Sequence, residues 1–433
     1  EGEKIKKIST NIEDTADQII DAHGMAITPG FIDIHRHCDI MPFYSDSFSD
    51  CMLAQGITTT VVGNCGISMT PISQDPKIAK EMHDYYEPIL GPPHSEHIIT
   101  FPQYLSALDN AQLNLNIASM IGTGSVRIAS KGFSNTSFTD DEISIASEMI
   151  REAMAVGAAG VSMGVLYIPE CYTSTEEYIR ILKPVGEYGG VVTAHIRDEG
   201  DTLVDSVKEL IEIGNQVNCT IQISHLKSIY KNNWRKEIFK AIEVIDQSRA
   251  DGLDITCDFY PYDCGSTTLS TMLPPDFVAG NIGHAIKFLG TPEGVEEYRR
   301  LGSEYYGSWE RFEEILGWNR IIISSVVNDH NRKFLGKSVA SNAEEYGFED
   351  CCAFVAYLIN DEEGKTAIIN AHMCQDDIDV VAKLPYSIVI SDSIYANTDT
   401  PHPRMYGAFP KIIREYVKER KLLTLPEAIY KMT

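Results

Sequence analysis

Apolar runs of strand period recur along this chain with stretches of helical period between them, and that alternation constrains the fold more than any other feature. Gly56–Ser68 (G-I-T-T-T-V-V-G-N-C-G-I-S) is β-branched and apolar, as a strand buried on both faces must be. Ile27–Asp39, Leu113–Gly122, Gly160–Met163, Gly190–His195, Cys219–His225, Asp254–Tyr260 and Ser387–Asp392 are the other strand candidates. Between them, Thr139 and Glu142 form a capping box ahead of Ile143, Ala146, Ile150 and Met154 at helical spacing, with Gly157 past the end. Leu203, Val207, Leu210 and Ile211 share a second helix face, closed by Gly214. Strands alternating with helices predict a parallel α/β fold, here a TIM-like (β/α)8 barrel over 26–433 whose strand ends open on one mouth.

Two segments depart from the rhythm. Thr267–Asn319 brings Pro274, Pro275, Trp309 and Trp318, and an excursion that long predicts an inserted subdomain or lid. Arg320–Ser325 is one strand too many and is assigned to this insert, which then spans about 267–325. Residues 1–25 alternate weakly (I-K-K-I, Q-I-I-D-A) and read as short strands of a small β attachment before the barrel. The chain begins without Met and stops at Ala428–Thr433 inside a helical pattern, so both ends are expected to be incomplete.

The strand ends carry the chemistry. His35 and His37 alternate on one strand face, since side chains repeat every two residues there. Cys65, His195, His225 and Asp392 end other strands that the same mouth would collect. Singly, each is more often structural; together they predict a metal site. Imidazole and thiolate select a borderline-soft ion, which points to Zn²⁺ over Mg²⁺ or Ca²⁺. Cys65, His195 and His225 would supply three ligands and leave the fourth position to water, as a catalytic zinc requires. Asp392 can take that water's proton and pass it to a leaving nitrogen. The predicted reaction class is metal-assisted hydrolysis of an acyl or related bond.

Charge removes several classes. With 36 basic against 62 acidic residues the net charge is −26, which repels phosphate backbones and anionic lipid, so no nucleic-acid or membrane partner is expected. No apolar run reaches bilayer length, E-G-E-K-I-K-K is no secretory signal, and the 10 cysteines are scattered without a C-x-x-C pair. A reduced, cytoplasmic protein is expected.

The blocks G-F-I-D-I-H-R-H, V-V-G-N-C-G-I-S, T-A-H-I-R-D-E-G, Q-I-S-H-L-K, D-F-Y-P-Y-D-C-G-S, S-D and H-P-R-M-Y-G, in this order, resemble the N-acyl-D-amino-acid deacylases (D-aminoacylases) of the amidohydrolase superfamily. The resemblance runs from about Ile19 to Thr433. It implies zinc-dependent hydrolysis of a small N-acylated D-amino acid to a carboxylate and the free D-amino acid. It implies that Cys65, His195 and His225 hold a tight zinc, that His35 and His37 flank a second, weaker metal position, and that Asp392 is the catalytic acid/base. Substrate contacts carry over to Tyr167, Lys227, Tyr260, Ser266 and Arg404, and a small β-sandwich built from both chain ends is implied.

The residue chemistry agrees with those contacts. Arg404 presents a fork that grips a carboxylate, and Lys227 lies two residues past His225 on the same strand face. The molecule's negative charge is screened over about 8 Å, so a local Arg/Lys pair can still bind an anion. Arg36, between the two histidines, is expected to point outward and pair with a carboxylate outside the mouth. One alternative is another amidohydrolase, such as a cyclic-amide hydrolase with two metals bridged by a carboxylated lysine; the end of strand four, S-M-G-V-L-Y, holds no lysine. The other is an inactive barrel serving in binding or assembly, which should have lost ligands that this chain keeps.

Overall fold

The computed structural model describes residues 4–92, 97–304, 317–395 and 399–433. Trp309 of the expected insert lies outside them. Its strands are β1 Phe31–Asp33, β2 Arg36–His37, β3 Ile57–Val62, β4 Asn116–Ser119, β5 Ile121–Gly122, β6 Val161–Gly164, β7 Val191–His195, β8 Thr220–Ile223, β9 Ile255–Phe259, β10 Gly265–Thr268, β11 Ile321–Ser325, β12 Ala367–Asn370, β13 Ser387–Val389 and β14 Ser393–Ile394. The protein is α/β with parallel sheets. One ladder runs β1, β3, β4 and another β5, β6, β7, β8, β9, β13, every pair parallel. Met120 links the two: its N–H donates to Val62 O at 2.9 Å, and the next N–H, of Ile121, donates to Gly160 O at 3.2 Å. At the other end β14 lies parallel to β2, pairing Ser393 with Arg36 and Ile394 with His37.

The strands read as continuous apolar runs because the sheet is covered. Ile57, Val62, Ile121, Val161, Val192, Ile221 and Ile255 are all fully buried. Each such side chain contributes about 1.5–3 kcal/mol over leaving it in water. The Thr139 capping box forms as expected: Thr139 N–H donates to Glu142 Oε2 at 2.8 Å, and Glu142 N–H donates to Thr139 Oγ1 at 3.3 Å. It starts helix Asp140–Ala155, which buries Ile143, Ala146 and Ile150. Helix Leu203–Val217 does not stop at Gly214 but ends at left-handed Asn218. Gly214 serves close packing instead, since a Cβ there would lie 2.8 Å from Ile221 Cγ2.

Between β9 and β13 the chain builds an antiparallel sheet of order β10, β12, β11. The expected boundary near 325 therefore falls too early. The middle strand, β12, comes last in sequence, and an edge strand such as β11 cannot close the sheet without it. Among the described residues of 1–25 the expected short strands are not formed: residues 4–30 contain none, and Ile5, Ile8, Ile19 and Ile20 are exposed. Apolar alternation becomes a strand only beside a partner ladder, and no described strand runs beside this segment. No helix among the described residues is long and apolar enough to cross a membrane.

Candidate metal centre

The site is assembled where the parallel strands end. His35 lies between β1 and β2, His195 ends β7, and Cys65, His225 and Asp392 lie just beyond β3, β8 and β13. Those last three have left-handed backbones, with φ of 54°, 36° and 51°. Such a conformation costs a non-glycine residue about 1–3 kcal/mol and persists only where the surroundings enforce it. At Cys65 the surroundings are tight: a Cβ on Gly66 would come 2.0 Å from Glu170 Oε2 and 2.6 Å from Gly164 N. Asp392 is fixed by its N–H, which donates to His35 O at 2.9 Å as β14 joins β2.

The donor atoms then face one another. Cys65 Sγ lies 3.2 Å from His35 Nε2 and 3.7 Å from His225 Nε2, and His225 Nε2 lies 3.0 Å from His195 Nδ1. Asp392 Oδ1 is 3.4 Å from both His35 Nε2 and His37 Nε2. The outer ring nitrogens meet carboxylates: His225 Nδ1 lies 2.9 Å from Glu199 Oε1, and His35 Nδ1 3.4 Å from Asp258 Oδ2. An imidazole that donates outward to a carboxylate presents its other lone pair inward, which orients it as a metal ligand. Asp258, fully buried, also accepts from Gln222 Nε2 and from the backbone N–H of His225.

Electrostatics favour the ligand forms. Burial pushes the Cys65 thiol up, but the charge of His35 and hydrogen bonds to His195, His225 and His35 outweigh it and hold the thiol well below its usual range. Burial opposes the Asp392 carboxylate too, and Arg404 and His35 hold its pKa well below the ordinary value. Three triplets, His35/Cys65/His225, His35/His37/Asp392 and His195/Glu199/His225, each place their donor atoms within 4.8 Å of one another. His195 Nε2 and His37 Nδ1 are buried without a hydrogen-bond partner among the described residues. Buried polar atoms are rarely left so. Imidazole, thiolate and carboxylate donors converging at these distances fit a divalent cation.

The sequence-predicted residues come together. His35 and His37 adjoin Cys65, since His35 belongs to two of the triplets at once. Lys227 and Arg404 are both committed to carboxylates. Lys227 Nζ donates to Glu199 Oε1 at 2.5 Å, and Arg404 Nη1 donates to Asp392 Oδ2 at 2.7 Å. Each is buried, and a buried charge requires a partner on the protein itself. Arg404 Nη2 also donates to Ser266 O at 3.3 Å, and its guanidinium stacks on Tyr260 at 4.7 Å from the ring centre. Tyr167 Oη lies 3.3 Å from His195 Nδ1. Tyr167, Lys227, Tyr260, Ser266, Asp392 and Arg404 all line one cavity with Cys65, His195 and His225. Arg36 points away from it, bonded to Asp33 at 3.0 Å, as its place between two inward residues implied.

Sequence reasoning missed Glu199, Asp258 and Asn370. Glu199 sits inside T-A-H-I-R-D-E-G four residues past His195, and Asp258 interrupts an apolar strand, so both carried a signal. Asn370 carried none.

The Amidohydrolase family profile Amidohydro_3 matches residues 18–243. D-aminoacylase of Alcaligenes xylosoxydans xylosoxydans is 28% identical over 434 residues, covering 100% of this chain and 77% of that protein. N-acyl-D-aspartate deacylase of the same organism is 30% identical over 421 residues, covering 96% of this chain and 72% of the relative. In structure, the N-acyl-D-glutamate deacylase of Bordetella bronchiseptica, solved with zinc and a phosphonate mimic of the tetrahedral intermediate, superposes with a TM-score of 0.75 at 26% identity, over 94% of this chain and 73% of that one. Matched over more than half its length by the family profile and nearly end to end by these relatives, the chain belongs to the amidohydrolase family.

Proposed function

We propose that this protein hydrolyses the amide bond of N-acyl-D-amino acids, giving a carboxylate and the free D-amino acid, with zinc held by Cys65, His195 and His225. The observation that supports the reading is the convergence of these donors: His225 Nε2 lies 3.7 Å from Cys65 Sγ and 3.0 Å from His195 Nδ1, with the Glu199 carboxylate 2.9 Å from the outer nitrogen of His225. His35, His37 and Asp392 line a second, weaker metal position, contiguous with the first. The mixed imidazole and thiolate set supports zinc over harder ions. The β14–β2 ladder that returns the last strand to the first supports closure into a (β/α)8 barrel.

A zinc bound there would polarise the substrate carbonyl and acidify a coordinated water. The chain's own residues supply the proton transfers. Asp392, kept ionised by Arg404, accepts the proton of the water that attacks the acyl carbon. It then delivers that proton to the departing nitrogen, which leaves as a neutral amine as the C–N bond breaks. Arg404 Nε, buried and without a hydrogen-bond partner among the described residues, is left to meet the substrate carboxylate. Tyr167, Tyr260 and Ser266 complete the substrate contacts, and Lys227 acts through Glu199.

Hydrolysis of matched N-acetyl-D and N-acetyl-L amino acids by the zinc-loaded protein tests the reading. Release of free amino acid from the D series alone is expected. Turnover of the L series with none of the D series would refute it.

A further inference from the structure

Asn370 ends β12 and lines the cavity beside Ser266 and Arg404. Its side chain is 1% exposed, and neither Oδ1 nor Nδ2 has a hydrogen-bond partner among the described residues. Desolvating a carboxamide without pairing it destabilises the fold, and native proteins keep few such groups unless a ligand completes them. In the insert's sheet Asn370 pairs with Gly265, the neighbour of Ser266, whose carbonyl accepts from Arg404. The insert thus delivers an unpaired amide next to the guanidinium assigned to the substrate carboxylate. In an N-acyl amino acid the carboxylate and the side chain branch from one carbon. A group beside the carboxylate contact is therefore placed to meet the side chain.

Chemistry narrows which side chain it meets. A carboxamide offers a donor and an acceptor together, and a substrate carboxamide pairs with both. A substrate carboxylate would use the donor only and set its own charge against Oδ1. The lysine and the arginine lining the cavity already serve Glu199 and Asp392. Arg404 Nε is left for one carboxylate, with no uncommitted lysine or arginine in the described lining for a second. We propose that Asn370 reads the substrate side chain and makes the enzyme selective for N-acyl-D-amino acids with a side-chain carboxamide. This rests on the deacylase reading above.

The test is the kinetics of zinc-loaded wild type and Asn370→Leu on N-acetyl-D-glutamine, -D-asparagine, -D-glutamate, -D-aspartate and -D-leucine. The better amide should exceed its matched acid and the leucine substrate in kcat/KM by about tenfold or more. Asn370→Leu should lower turnover of that amide by about 10–100-fold, with a change on leucine of about threefold at most. A lost fold in the variant leaves the wild-type comparison to decide alone. Preference for the acids, or an equal loss on amide and leucine, overturns the assignment of Asn370. Turnover of none of the five substrates instead overturns the deacylase reading itself.

Discussion

Replacing Glu199 with glutamine isolates the carboxylate that orients the metal ligands. Glu199 is 1% exposed, 2.9 Å from His225 Nδ1 and 2.5 Å from Lys227 Nζ. Burial disfavours its charge, yet Lys227 and the imidazoles of His195 and His225 hold it far below the ordinary 4.5. Glutamine keeps the shape and removes the charge, so His225 loses a charged acceptor while its ring keeps its place. Removing a carboxylate of this kind typically weakens metal binding by about 10–100-fold, or about 1.4–2.7 kcal/mol. The Lys227 ammonium is also left without its anion, and breaking a buried pair costs about 3–5 kcal/mol against a total stability of about 5–15 kcal/mol. Glu199→Gln should therefore fold, unfold at lower temperature, and lose zinc to a competing chelator at a lower chelator concentration than wild type. Competition titration read alongside near-ultraviolet circular dichroism separates the two effects. A folded variant with the wild-type zinc affinity would refute the orienting role of Glu199.

Asp392→Asn should keep zinc and lower kcat by about 10²–10⁴-fold, read by steady-state kinetics with metal analysis of the same sample. Arg404→Ala should raise KM, because the guanidinium that meets the anionic substrate is gone, and lower kcat, because Asp392 loses a partner 2.7 Å away; an unchanged KM would place the carboxylate elsewhere. Glu170 gives a pH signature of opposite sign to an ordinary ion pair. Burial pushes its carboxyl from 4.5 up to about 7, although Thr123, the Gly164 N–H and Tyr178 oppose this. The fold thus keeps a proton that the unfolded chain has released, and that contribution, about 3 kcal/mol, is complete below pH 4.5 and is lost as pH rises through about 7. Denaturant unfolding of Glu170→Gln should lack this decline between the two pH values.

Much of the site was legible because strand ends are where period-two runs stop, and His35, His37, Cys65, His195, His225 and Asp392 all stand at such stops. What was not legible has physical reasons. The left-handed turns at His225 and Asp392 are held by bonds from their backbone N–H groups to Asp258 and to His35 O, which join residues far apart in sequence. The pairings of Lys227 with Glu199 and of Arg404 with Asp392 join different strand ends, so no local pattern announces them. The insert was cut short at Ser325 because its sheet closes through β12, after intervening helices that include Cys351–Asp361. Residues 4–30 carry strand-like alternation with no ladder beside them, and pattern alone does not reveal whether a partner strand exists.

The proposed chemistry requires the Cys65 thiolate and its facing imidazoles to hold a zinc ion. Elemental analysis of purified wild type and Cys65→Ala tests it, with circular dichroism to confirm that both are folded. Close to one zinc or more per wild-type chain is expected, with a large loss in the variant. Active wild type free of zinc, or a variant that retains its full zinc content, would contradict it.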